Sequence, residues 1–119
     1  MTHTSYYVAD ARLSEATYRV ACGGELDLAA RSELSQALAR ATSSGAENLE
    51  LDLTKVTFID STAIKVIARV GGEIRARGGR VEATFGNQNV LRIFEITGLE
   101  RLFELTLMLP PEPPVEELA

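Results

Sequence analysis

The chain has 119 residues, 45% of them hydrophobic and 24% charged, and its net charge is −5. That length fits one domain with a modest core, and the composition is that of a globular chain rather than a disordered one. The acidic excess argues against nucleic acid and against an anionic membrane surface as partners. One cysteine, Cys22, and one histidine, His3, leave no internal disulfide and no Cys/His metal set.

Met1–Ser5 lacks the basic start and apolar run of a secretory leader. No stretch approaches the roughly 20 apolar residues that cross a bilayer. The lone thiol suits a reducing compartment, and the cytoplasm is the expected location.

In chain order, Tyr6–Asp10 reads as a short strand and Arg12–Glu15 as a turn. Thr17–Cys22 alternates, with Tyr18, Val20 and Cys22 on one face, which is the period of a strand. The two form an N-terminal hairpin, and Gly23-Gly24 ends or bends its second strand. Leu28–Ala41 carries Ala30, Leu34, Ala37, Leu38 and Ala41 at helical spacing. Asp27 stands ready to cap it and Gly45 to close it.

Leu49, Leu51 and Leu53 then alternate with Glu50 and Asp52 as a core strand, and Thr54–Ile59 is its exit. Asp60-Ser61-Thr62 opens a second helix whose stripe is Ala63, Ile67, Val70 and Ile74, widened by Ile64 and Val66. Gly71-Gly72 inside it costs roughly 1 kcal/mol per glycine relative to alanine. Close packing on the sheet is the expected reason, with a kink as the alternative. Gly78-Gly79 ends the helix. Arg80–Phe85 is a strand, Asn89–Thr97 a short helix closed by Gly98, and Leu102–Leu107 a last strand.

The order β-β-α-β-α-β-α-β predicts an α/β fold: a mixed, mostly parallel sheet with an N-terminal hairpin and helices packed against it. Residues 1–109 form the one domain. Four prolines between Pro110 and Pro114 exclude helix or central strand, so 110–119 reads as a mobile tail.

One locus stands out. Asp60 is a candidate cap, and Ser61 and Thr62 fall in the first helical turn, where free N–H groups favour an anion. In a parallel sheet the strand C-terminal ends gather on one edge, where partners often bind. Gly24-Glu25-Leu26-Asp27 ends the second strand, so Asp27 and Ser61 should be neighbours if that strand pairs with the third. Taken residue by residue, Asp27 and the Asp-Ser-Thr run read first as ordinary caps.

Gly24-Glu25-Leu26-Asp27, Leu51-Asp52-Leu53, Phe58-Ile59-Asp60-Ser61-Thr62 and Phe94-Glu95-Ile96-Thr97-Gly98-Leu99, in that order, resemble the signature of STAS domains. The resemblance is to the bacterial anti-sigma factor antagonists and spans about residues 6–107. It implies a non-catalytic switch without a cofactor. The unphosphorylated antagonist binds a serine-kinase anti-sigma factor and frees a sigma factor. The kinase phosphorylates the serine after the aspartate, here Ser61, and a PP2C-type phosphatase reverses it. Asp27 and Asp60 match acidic residues that flank the acceptor. Glu25, Thr62 and Lys65 complete the expected partner-contacting set.

The chain departs from the family in three places. Ala63 stands where a glycine is common, Thr62 stands where a second serine is frequent and is the alternative acceptor, and a proline-rich tail replaces a further helix. The competing reading keeps the fold and drops the switch: a scaffold or small-ligand-sensing subunit of a larger complex, with Ser61 only a cap. Self-association is left open.

Other residues invite functional readings. Cys22 alternates with Val20 and reads as a buried, inert thiol. Lys65 and Arg69, at i and i+4, read as a solvated face or as partner contacts. Gly86-Asn87-Gln88-Asn89 reads as a turn and cap, because it lacks the Gly-Lys-Ser/Thr ending of a phosphate loop. With no histidine near the motif there is no Ser-His-Asp or Cys-His set.

Overall fold

The computed structural model describes residues 5–108. The tail expected over 110–119 lies outside the described residues. The chain forms β1 (Tyr6–Arg12), β2 (Thr17–Leu26), a 3₁₀ turn (Leu28–Ala30), α1 (Arg31–Ser43), β3 (Asn48–Ile59), α2 (Ser61–Ala76), β4 (Val81–Phe85), α3 (Gln88–Ile96), a second 3₁₀ turn (Leu99–Arg101) and β5 (Glu104–Leu107).

The five strands make one sheet in the order β1-β2-β3-β4-β5. β1 pairs antiparallel with β2, and the other three pairings are parallel. Each crossover therefore steps one strand in the same direction. Right-handed crossovers then place α1, α2 and α3 on one face. Among the described residues nothing covers the other face, which carries the polar members of each alternation: Arg19, Glu50, Asp52, Glu82 and Thr84. Val20, Leu49, Leu51, Leu53, Val81, Ala83 and Phe85 turn inward against Leu34, Leu38, Ile67, Ile74 and Phe94.

Two elements differ from expectation at the edge that matters. β3 does not exit at Leu53 but runs to Ile59. Between Ala21/Asp52 and Gly23/Lys55, and again between Gly24/Val56 and Glu25/Phe58, β3 carries one more residue than β2. These are bulges, and they change the inward period from two (Leu49, Leu51, Leu53) to three (Val56, Ile59). β2 likewise continues past Gly23-Gly24 to Leu26. Gly24 has φ +78°, and a Cβ there would fall 1.8 Å from the Ser5 carbonyl oxygen. Only glycine lets β1 come that close.

The helix expected over Leu28–Ala41 is two pieces. Ala30 N–H bonds back to the Asp27 carbonyl at 3.0 Å, a three-residue closure that tightens the first turn into 3₁₀ before α1 begins. In α2, a Cβ on Gly71 would fall 2.5 Å from the Phe103 ring, whereas one on Gly72 would meet nothing within 4 Å. The close packing is thus against the side chain leading into β5, not against the sheet, and it accounts for one glycine of the two. Phe85, Phe94 and Phe103 stack edge to face at 4.8 and 6.0 Å and close that end of the core.

Candidate functional site

β2 and β3 end together. Leu26 is level with Ile59, and Asp60 N–H donates to the Leu26 carbonyl at 3.0 Å. That bond sets Asp27 and Asp60 side by side at the C-terminal edge of the sheet, each as the first residue beyond its strand. The expected neighbourhood of Asp27 and the Asp60-Ser61-Thr62 run follows from the parallel pairing.

Each aspartate caps the helical turn beyond it. Asp60 Oδ1 accepts from Ala63 N–H at 2.9 Å, and Asp27 Oδ1 accepts from Ala29 N–H at 3.0 Å. Ile64 N–H closes the first intrahelical bond of α2 onto the Asp60 carbonyl at 3.1 Å. The N–H groups of Ser61 and Thr62 come before that ladder and have no partner within the helix. Ser61 is exposed and Thr62 half-buried. Of the two hydroxyl residues, Ser61 is the more exposed.

Glu25 and Lys65 are exposed, Asp27 and Asp60 half-exposed. Lys65 lies one helical turn beyond Ser61, and Arg69 a further turn on. Two apolar side chains also stand in the open: Leu28, 67% exposed, and Phe58, 49% exposed. The tip therefore combines carboxylates, a free hydroxyl and two apolar knobs.

Phe58 belongs to an apolar run with Val56 and Ile59, and a plain alternation does not tell which of them faces out. The two bulges decide it. Leu28 follows a cap and precedes a helical stripe, and its isolation from the stripe residues was its only sequence signal. Tyr6 and Glu33 also reach the tip, from β1 and from the first turn of α1, and nothing in the motifs marks them. The Tyr6 hydroxyl lies 2.8 Å from Glu33 Oε1, and that bond, followed by desolvation and the charges of Glu33 and Asp27, raises its pKa.

Cys22 is 1% exposed on β2, and burial, aided by the charge of Asp52, pushes its thiol up to about 12. Asn87 caps α3, its side chain accepting from Asn89 and Val90 N–H, so the Gly86–Asn89 turn is a helix start. Among the described residues no three His, Cys, Asp or Glu side chains gather as a metal site. No described helix is long and apolar enough to cross a membrane.

A single α/β domain with a hairpin-led sheet, helices on one face and a capped Asp-Ser-Thr helix start defines the class. Residues 9–109 match the model of a STAS domain family described as "Mlab, STAS domain", and the chain belongs to the STAS domain family. It is 26% identical over 97 residues to an anti-sigma-B factor antagonist of Bacillus subtilis, covering 82% of this chain and 88% of that one. It is 27% identical over 88 residues to one of Staphylococcus aureus, covering 74% and 82%.

Among solved structures, an anti-sigma factor antagonist from Mycobacterium paratuberculosis superposes with a TM-score of 0.75 at 21% identity, over 95% of this chain and 90% of that one. The Bacillus cell fate determinant SpoIIAA in its phosphorylated form does so at 0.68 and 16% identity, over 94% and 96%.

Proposed function

We propose that this chain is an anti-sigma factor antagonist whose binding is switched by phosphate on Ser61. Unphosphorylated, it docks a serine-kinase anti-sigma factor through the tip formed by Glu25, Asp27, Asp60, Ser61, Thr62 and Lys65, and so frees a sigma factor in the cytoplasm. Its role is to bind and not to catalyse. The observation that carries the reading is the exposed Ser61 at the first position of α2, beside two aspartates at the C-terminal edge of the sheet.

In the switching step the Ser61 oxygen attacks the γ-phosphorus of ATP. The new O–P bond forms as the bond to ADP breaks, and the hydroxyl proton passes to a base on the kinase. A PP2C-type phosphatase uses water to return the serine and inorganic phosphate. Phosphoserine carries about −1.5 to −2 charges at neutral pH. The free N–H groups of Ser61 and Thr62 accommodate that charge, so the domain stays folded. An interface already holding Asp27 and Asp60 does not. Like charges brought together there cost several kcal/mol, and each 1.4 kcal/mol is tenfold in affinity. Relatives named as anti-sigma-B factor antagonists support the reading, as does a similar fold that exists phosphorylated and unphosphorylated.

The test is incubation with the host's serine-kinase anti-sigma factor and ATP, followed by mass spectrometry. Phosphate is expected on Ser61. Phosphate on Thr62 alone would move the acceptor by one residue, and none on either would leave the scaffold reading. Ser61→Ala should bind the kinase and never release it. Ser61→Asp should weaken binding by about tenfold or more with its melting temperature little changed.

A further inference from the structure

Tyr6 lies on β1, in none of the motifs that mark the tip, and its half-buried ring packs against the core. Its hydroxyl reaches across to the turn after Asp27, 2.8 Å from Glu33 Oε1 and 3.1 Å from the Ala29 carbonyl oxygen. A phenol has one proton and both neighbours only accept, so the two share it. Ala29 is therefore held from both sides. Asp27 Oδ1 takes its N–H at 3.0 Å, and Tyr6 donates to its carbonyl.

Leu28, between Asp27 and Ala29, is 67% exposed, so its own packing does not fix it. The pinned backbone on either side does. β1 is anchored at the same height, where Glu25 N–H donates to the Ser5 carbonyl at 2.9 Å.

We propose that Tyr6 is a positioning residue for the docking tip: through Ala29 it holds Asp27 and Leu28 at the level of Ser61, so that they meet the anti-sigma factor preformed. This rests on the partner reading above. Holding a loop in its bound shape removes an ordering cost from association. Glu33 shares the proton without carrying the turn, so its carboxylate is the less critical partner.

Tyr6→Phe keeps the ring and removes the bond. In the free protein, amide exchange at Leu28–Ala30 should quicken while melting stays near wild type. With the host's purified serine-kinase anti-sigma factor and ATP, Kd and KM should rise together, roughly two- to tenfold for one hydrogen bond, with kcat unchanged. Glu33→Gln, which still offers an acceptor, should stay close to wild type.

Unchanged exchange, an unchanged Kd, a fall in kcat alone or a loss of the fold would each overturn the positioning role. If wild type itself neither binds the kinase nor takes phosphate, the switch reading fails and the role with it. A Tyr6→Phe variant that matches an active wild type sinks the role only.

Discussion

Ser61 and Cys22 show how position decides what a reactive atom does. Both belong to the sheet-and-helix framework, yet Ser61 is exposed at a helix start and Cys22 is 1% exposed under the helices. A thiol attacks as its thiolate, and burial holds that of Cys22 at about 12. Native protein should therefore resist a thiol-specific disulfide reagent at neutral pH and react fully once unfolded. Rapid labelling of the folded chain would show that the sheet opens around β2.

Residue by residue, the sequence marked the two capping aspartates and the serine that follows one of them. Asp27, Asp60 and Ser61 announce themselves because caps must sit at strand-to-helix junctions. Phe58 and Tyr6 do not announce themselves. The exposure of Phe58 depends on where two extra residues enter β3. The role of Tyr6 depends on a reach from β1 to a turn more than 20 residues later.

At the scale of elements, periodicity placed every strand and α-helix, but it cut β1, β2 and β3 short, began β5 two residues early and merged the 3₁₀ turn at Leu28–Ala30 with α1. It works while the period holds. β3 changes period at Leu53, so the segment that lifts Asp60 to the edge read as an exit rather than as strand. The glycine pair of α2 was legible as an anomaly but not as two different things. Gly71 makes room for Phe103, which is distant in sequence, and Gly72 makes room for nothing.

Gly71→Ala should destabilise by about 1–3 kcal/mol, because the ring that must move is itself wedged against Phe94. Gly72→Ala should stabilise by roughly 0.5–1 kcal/mol, since it swaps glycine for the best helix former in open space. Urea unfolding of the two variants reads both at once. Equal effects of one sign would mean that the helix, not Phe103, governs the first glycine.

On the scale of the whole molecule, the helices' place on one face raises the question of how the N-terminal hairpin is tied to them, since among the described residues β1 is an edge strand with one neighbour. The tie is Asp10. On β1 it accepts two bonds from Arg40 of α1, at 2.9 and 2.7 Å, and a further one from the Tyr18 hydroxyl of β2. The Arg40 bond, partly opposed by desolvation and helped by Tyr18, lowers the pKa of its carboxyl.

A carboxylate whose folded pKa is depressed binds its proton more readily in the unfolded chain. The stability it contributes is complete above the unfolded value of about 3.9, and it drains away as the pH falls through the lowered folded value. Arg40→Met should then cost stability at pH about 7, and the gap to wild type should close in acid as the pH falls through that lowered folded value. Half of Arg40 stands in solvent, so high salt should narrow the gap at neutral pH as well. Urea midpoints across that range measure it. A gap that stays constant with pH would assign the loss to the packing of the arginine stem on the hairpin instead of to its charge.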